Sequence, residues 1–452
     1  MKKSLLAVAV AAALPAAAMA QVTISGYAKG SFDSFSIGSK HPDRTGKTSE
    51  TRVTDHSSRI IFSANEKIDD DLSGVFQYDL RFNVDQVGRT SPTEGAAGGN
   101  LYAGMNPLSS GNNHVGLISK SMGAIRFGRQ DIYYGDTGSV LPSSVHINAS
   151  APTVLHNPGG TTVDNLGIVR SVSQTASMAN HSRTPNLIWY VSPRINGIEG
   201  TVGYSTNPLR LSGTNETEND LSTTPAVRKG SGTFLRLNAI VDKFNLTWAT
   251  VDLKGDYFAT ANQCGLQAFP SAGAAFTLAS ATPPAGCTYD SVNAAQQNQR
   301  GNVFTAIYRD GPIALGFGYS MNEARTTNHL PVSATAAQIA AANVKTERNA
   351  YVISGAYKVT SKFTIAAEYQ NGADISRNDT KVADSGLTGT VLALDYAFSN
   401  RTNVGFTYFT LKNDSLSNMA PFYSGSNTFG GQFTSRPGED YSLASVVLRH
   451  SW

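Results

Sequence analysis

Apolar and polar residues alternate with a period of two along much of this chain, most clearly over residues 75–85. Phe76, Tyr78, Leu80, Phe82 and Val84 share one parity, and Gln77, Asp79, Arg81, Asn83 and Asp85 share the other. Successive side chains of an extended strand point to opposite sides, so such a segment has one apolar and one polar face. The first segment repeats the pattern, with Val22, Ile24, Ala28 and Phe32 set against Thr23, Ser25, Lys29, Ser31 and Asp33. In the second, Ile60, Phe62 and Ala64 oppose Arg59, Ser63 and Asn65. Leu187, Trp189 and Val191, and later Val404, Phe406 and Tyr408, are read as further apolar faces.

The spacing between segments adds a second period. Tight links (IDDDLSG, KSMG, SPRING, VDKFN, RDGP, KVTSK, FSNRT) alternate with stretches of roughly 15 to 50 residues, as in barrels with short turns at one rim and long loops at the other. Seven short links and eight long ones predict sixteen strands, with both chain ends on the short-turn side. The expected fold is all-β, a sixteen-stranded antiparallel transmembrane barrel.

A soluble β-sandwich would give the same alternation. Two features favour lipid instead: the polar faces carry charges in mid-strand (Asp79, Arg81, Asp85), as a wet lumen would. Aromatic residues also recur near segment ends, among them Tyr78, Phe82, Tyr190, Tyr204, Tyr319, Tyr357, Tyr369, Tyr396 and Tyr408, where interfacial girdles belong. Closure removes the unpaired sheet edges that hydrocarbon does not tolerate. The last segment, YSLASVVLRHSW, finishes on an aromatic residue, as barrel precursors read by an assembly machinery commonly do.

Residues 1–20 read as a removable signal peptide: Lys2 and Lys3, an apolar run from Leu5 to Leu14, then Ala18-Met19-Ala20 before Gln21. Residues 21–452 are expected to form the barrel. Without the leader the chain has 34 basic and 33 acidic residues, a balance that argues against nucleic acid as a partner. Cys264 and Cys287 share one long spacer, most simply as a disulfide that clips an outer loop. No metal or cofactor site is expected; Glu216, Glu218 and Asp220 read equally well as a calcium-binding or a solvated acidic run.

Several blocks make the chain resemble the Gram-negative general porins, in the trimeric sixteen-strand form of betaproteobacteria. They are VTISGYAKGSFD, SSRIIFSANEKIDDDLSGVFQYDL, HVGLISKSMGAIRFGRQD, RTPNLIWYVSPRINGIEGTVGYS and VVLRHSW. The final Trp452 departs from the family's usual Phe. The resemblance implies a homotrimer in the outer membrane, among lipid and lipopolysaccharide, inserted by the barrel-assembly machinery through the strand ending at Trp452. It also implies passive diffusion of small hydrophilic solutes and ions, with the third outer loop folded into the bore. Here the third long spacer runs from about 131 to 182, and its length fits an inward fold independently.

A pore selects at its narrowest section, by diameter and by rings of charge. By parity, Lys29, Arg59, Arg81 and Arg126 point to the polar face, and Arg59 and Arg81 fall where the resemblance places constriction arginines. Arg129 has the parity of Phe127; either a bulge turns it inward, as the resemblance favours, or it sits at the rim. Arg449 is on the lumen parity but is expected far from the neck. The facing loop offers the carboxylates Asp131, Asp136 and Asp164, with His146, His156 and His181. This excess of cations suggests a weak anion preference, unless Asp79 or Asp85 neutralises the arginines or the ladder Asp33, Asp79, Asp85, Asp395 reverses the sign. An enzyme is not expected, since there is no GxSxG and no spacing fixes a triad. A solute-specific channel and a surface adhesin or phage receptor remain the alternatives.

Overall fold

The computed structural model describes residues 21–38, 42, 48–55, 58–82, 84, 111–132, 184–206, 231–254, 258–259, 294–328, 343–417 and 436–452. They form one antiparallel sheet that closes on itself as a sixteen-stranded barrel. The strands are β1 (Gln21–Ile37), β2 in two pieces (Ser49–Asp55 and Arg59–Lys67), β3 (Leu72–Arg81), β4 (Asn113–Ser119), β5 (Gly123–Gln130) and β6 (Thr184–Val191). Next come β7 (Ile198–Ser205), β8 (Ser231–Val241), β9 (Phe244–Lys254, continued at Phe258–Ala259), β10 (Ala294–Asp310) and β11 (Ile313–Asn328). The last are β12 (Asn343–Lys358), β13 (Phe363–Gly372), β14 (Leu387–Ala397), β15 (Thr402–Asn413) and β16 (Tyr441–Ser451). Each strand pairs with the next, and β16 pairs with both β15 and β1, from Tyr27↔Ser451 to Ile37↔Tyr441. No described edge is left open.

Turn chemistry matches the tight links. In Ile195–Ile198, Asn196 and Gly197 both have positive φ (49° and 84°), the signature of a type I′ hairpin turn. Ile195 and Ile198 close it with reciprocal backbone bonds of 2.9 and 3.0 Å. Gly197 is required twice over, because a Cβ there would lie 2.5 Å from the Ile240 carbonyl oxygen. A second such turn, Asn378 (φ 48°) and Asp379 (φ 63°), folds Ser376–Arg377 onto Thr380–Lys381 as a small hairpin in the loop after β13.

Burial is inverted relative to a soluble protein. Val22, Ile24, Phe76, Val115, Leu117, Phe127, Leu392, Phe406, Val446 and Leu448 are exposed, while Lys29, Ser31, Asp33, Asp79, Asn238, Thr305 and Gln370 are buried. Large apolar side chains outside and polar ones inside suit a lipid exterior and exclude the sandwich. Six of the nine aromatics assigned to girdles (Tyr190, Tyr204, Tyr357, Tyr369, Tyr396, Tyr408) are exposed on this outer face.

One strand departs from expectation. In β6 the outward residues are Ile188 and Tyr190, whereas Leu187 and Trp189 are buried inside. Trp189 stands opposite Arg126 and Gly203, both on the lumen face. The run Leu187–Val191 is apolar on both parities, so its sequence carried no sign for which face turns outward. Leu187 and Trp189 join Phe234, Ala249, Val251, Leu253, Val303 and Ile132 in an apolar cluster on the inner wall.

Candidate functional site

The inner wall around β1 gathers its cations by register. Tyr27 and Lys29, two residues apart on β1, share the inner face. Arg59 of β2 lies opposite Tyr27, and Arg449 of β16 lies opposite Lys29. Both guanidiniums rest on the Tyr27 ring, Arg59 Cζ at 4.8 Å and Arg449 Cζ at 4.6 Å from its centroid, within cation–π range. Arg449 is therefore part of this cluster, not remote from it. Only closure of the barrel makes the last strand a neighbour of the first.

The interruption of β2 is tied to the same place. The Lys29 backbone N–H donates to Ser58 Oγ at 2.9 Å. The amides of Ser58 and Val84 donate to Asp55 at 3.2 and 3.3 Å. Buried Asp55 is thus occupied by the irregular junction, a device that re-aims the residue following it, Arg59.

Arg59 and Arg81 are direct cross-strand partners, and Asp79 lies between them. A single oxygen, Asp79 Oδ2, is 3.0 Å from Arg81 Nη2 and 3.4 Å from Arg59 Nη1. Asp79 is 1 % exposed, the two arginines 14 % and 20 %. The chain returning from the second long loop closes over this residue: the Asn112 N–H donates to Asp79 Oδ2 at 3.4 Å, and Asn113 Oδ1 accepts from the Asp79 backbone N–H at 2.8 Å. Gly111 approaches so closely that a Cβ would fall 2.0 Å from Asp79 Cγ. Among the described residues, one carboxylate is thus shared by two guanidiniums.

Arg126 on β5 stands opposite Gly116 and Trp189. A Cβ at residue 116 would sit 2.8 Å from Arg126 Cγ, so glycine lets the arginine stem cross β4. His114 packs edge-on against Trp189, ring centroids 5.5 Å apart. Among the described residues no carboxylate is within ion-pair distance of Lys29, Arg126 or Arg449.

Where β5 ends, the β5–β6 register shifts between Gly128 and Gln130, so the expected bulge is present. Arg129 nonetheless pairs with Asn113 on the parity of Phe127, and lines an outer groove with Phe127, Ile188 and Thr206. The next residues turn inward. Asp131 is half-buried and its amide donates to Asn112 Oδ1 at 3.0 Å. Ile132 is buried in the inner apolar cluster, against Gly203 of β7 and beside Phe234 and Ala249 of β8 and β9. Asp85, Asp136, Asp164, Cys264, Cys287, the three loop histidines, the run at Glu216–Asp220 and residues 1–20 lie outside the described residues.

The other inward acids have partners. Asp33 accepts from Ser445 Oγ at 2.6 Å and lies 3.9 Å from Arg52 Nε. Asp395 accepts from Asn403 Nδ2 at 2.6 Å. Sequence reasoning missed Tyr27, Arg52, Trp189 and Ile132. An aromatic on the polar parity was the one signal for Tyr27.

Comparison with known proteins agrees with this architecture. A family model described as Gram-negative porin matches residues 7–416. The major outer membrane protein P.IB of Neisseria meningitidis serogroup B is 27% identical over 208 residues, 46% of this chain and 50% of that protein. The chain thus spans about half the length of the curated relatives it matches. An anion-selective porin from Comamonas acidovorans has a similar fold, with a TM-score of 0.58 at 15% identity over 96% of this chain and 100% of that one. OmpT, an outer membrane protein of Vibrio cholerae, gives 0.54 at 14% identity over 97% and 99% of the two chains.

Proposed function

Because the chain belongs to the Gram-negative porin family, we propose that it forms a water-filled outer-membrane channel for passive diffusion of small hydrophilic solutes and ions, with a weak anion preference. The observation that carries the sign is the Arg59–Asp79–Arg81 bridge, in which two cations share one anion, beside Arg449 and Lys29. Fixed charge on a narrow, low-dielectric wall raises the local concentration of counter-ions and sorts them. The chemistry is that of a selective passage, not of catalysis.

In this reading Lys29, Arg59, Arg81 and Arg126 form the basic wall of the constriction. The third loop, with Asp131, Asp136 and Asp164, faces them, and Arg129 marks the rim. Ile132, anchored across β7–β9, supports an inward course for that loop. The working unit is a homotrimer among outer-membrane lipid and lipopolysaccharide. Residues 1–20 are removed on export, and the Trp452 strand is the segment read during assembly. Cys264 and Cys287 are paired, which peptide mapping without reductant would show as one linked fragment and refute as two.

Liposome swelling tests the channel itself. Vesicles holding the refolded protein should swell in arabinose and glucose at rates that fall with sugar size. Rates no higher than in empty vesicles would reject a general diffusion pore.

A further inference from the structure

We propose that Lys29, Arg449 and Arg59, set around Tyr27, form a seat for a compact divalent oxyanion in the channel wall, so that such anions pass saturably. The inference rests on the channel reading above and adds a bound ligand class to it.

The arrangement is costly as it stands. Lys29 is only 6 % exposed, and its cross-strand partner is a second cation, Arg449. Like charges directly opposite one another destabilise a sheet, and a buried charge without a counter-ion costs several kcal/mol on general grounds. Among the described residues no carboxylate is within ion-pair distance of Lys29 or Arg449. Asp79 bridges Arg59 and Arg81, Asp33 accepts from Ser445 with Arg52 alongside, Asp395 is held by Asn403, and Asp55 is locked in the β2 junction. Tyr27 meanwhile fixes two guanidiniums at 4.8 and 4.6 Å from one ring, and Nε of each is buried with no hydrogen-bond partner. Two cations without a protein partner, preset beside a third, fit an anion of two charges better than one of a single charge. A compact oxyanion presents acceptors to both a guanidinium edge and an ammonium.

Malonate is the probe, with acetate as the monovalent control. In planar bilayers at neutral pH, chloride conductance of the wild type should fall saturably as malonate is added, and acetate should give no saturable block. Arg449→Gln should raise the half-blocking concentration about tenfold, each variant being scaled to its own starting conductance, since one of two direct charges is gone. Arg449→Lys, which keeps the charge, should recover most of that loss and guards against misfolding of the Gln variant. Anion-biased conductance without saturable block by malonate, or equal block in Arg449→Gln, would overturn the seat and leave the channel standing. No conductance from heat-modifiable, folded protein would overturn both.

Discussion

Asp79 is the residue on which the sign of the inner wall turns. It holds Arg59 and Arg81 at once, so removing its charge takes a counter-ion from two guanidiniums instead of one. Asp79→Asn should shift the reversal potential in a salt gradient further toward chloride. It should also cost about 1–2 kcal/mol in urea unfolding from detergent, less than the roughly 3–5 of a fully buried pair because both arginines reach the lumen. A shift toward potassium would contradict the pairing. Parity alone made Arg59, Arg81 and Asp79 legible in the sequence, because their segments separate apolar from polar residues cleanly. Tyr27 and Arg449 were not legible as a unit. They lie at opposite ends of the chain and meet only through the β1–β16 register, which no local pattern encodes.

At the scale of the strand, β6 shows where periodicity fails. Its Leu-Ile-Trp-Tyr-Val run is apolar on both faces, and the choice was made by its neighbours. Arg126 and Gly203 flank Trp189 on the inner face, and the cluster around Phe234 receives it. Trp189→Ala should therefore destabilise the barrel by about 3–5 kcal/mol, the usual cost of emptying a packed aromatic site. Ile188→Ala, on the lipid face, should cost under about 1 kcal/mol, because acyl chains refill the gap. Thermal loss of heat-modifiability compares the two, and equal costs would refute the assigned faces. The outer rim offers an electrostatic counterpart. Burial, reinforced by Asp374 and Asp384, pushes the Asp414 carboxyl above its ordinary range. A carboxyl whose folded-state pKa is raised binds more protons folded than unfolded, so its contribution to stability falls as pH rises through that pKa. Asp414→Asn should raise the melting midpoint above neutral pH and flatten its decline with pH from the ordinary carboxylate range upward. An unchanged pH profile would remove the cluster from the account.

For the molecule as a whole, closure is the organising fact. Sixteen strands pair in a ring, so every strand has two neighbours and the apolar side chains can face outward while Lys29, Asp33, Asp79 and Gln370 stay within. Strand number and loop asymmetry were readable from spacing, since each tight link carries its own turn chemistry, as Asn196–Gly197 does. The course of the third loop was readable only as a length. The structure adds its anchor, Ile132, whose place depends on the Gly203 gap two strands away. The charge of the bore follows from the same assembly, because β1, β2, β3 and β16 each bring a cation to one stretch of wall. The most direct test of that claim is the reversal potential across a planar bilayer under a salt gradient, for the wild type and for Arg59→Ala/Arg81→Ala. The account predicts stepwise conductance with an anion-biased potential that moves toward zero or beyond in the double variant, where Asp79 loses both arginines. A cation-biased wild type, or a double variant with the same potential, would contradict a positive neck built on these arginines.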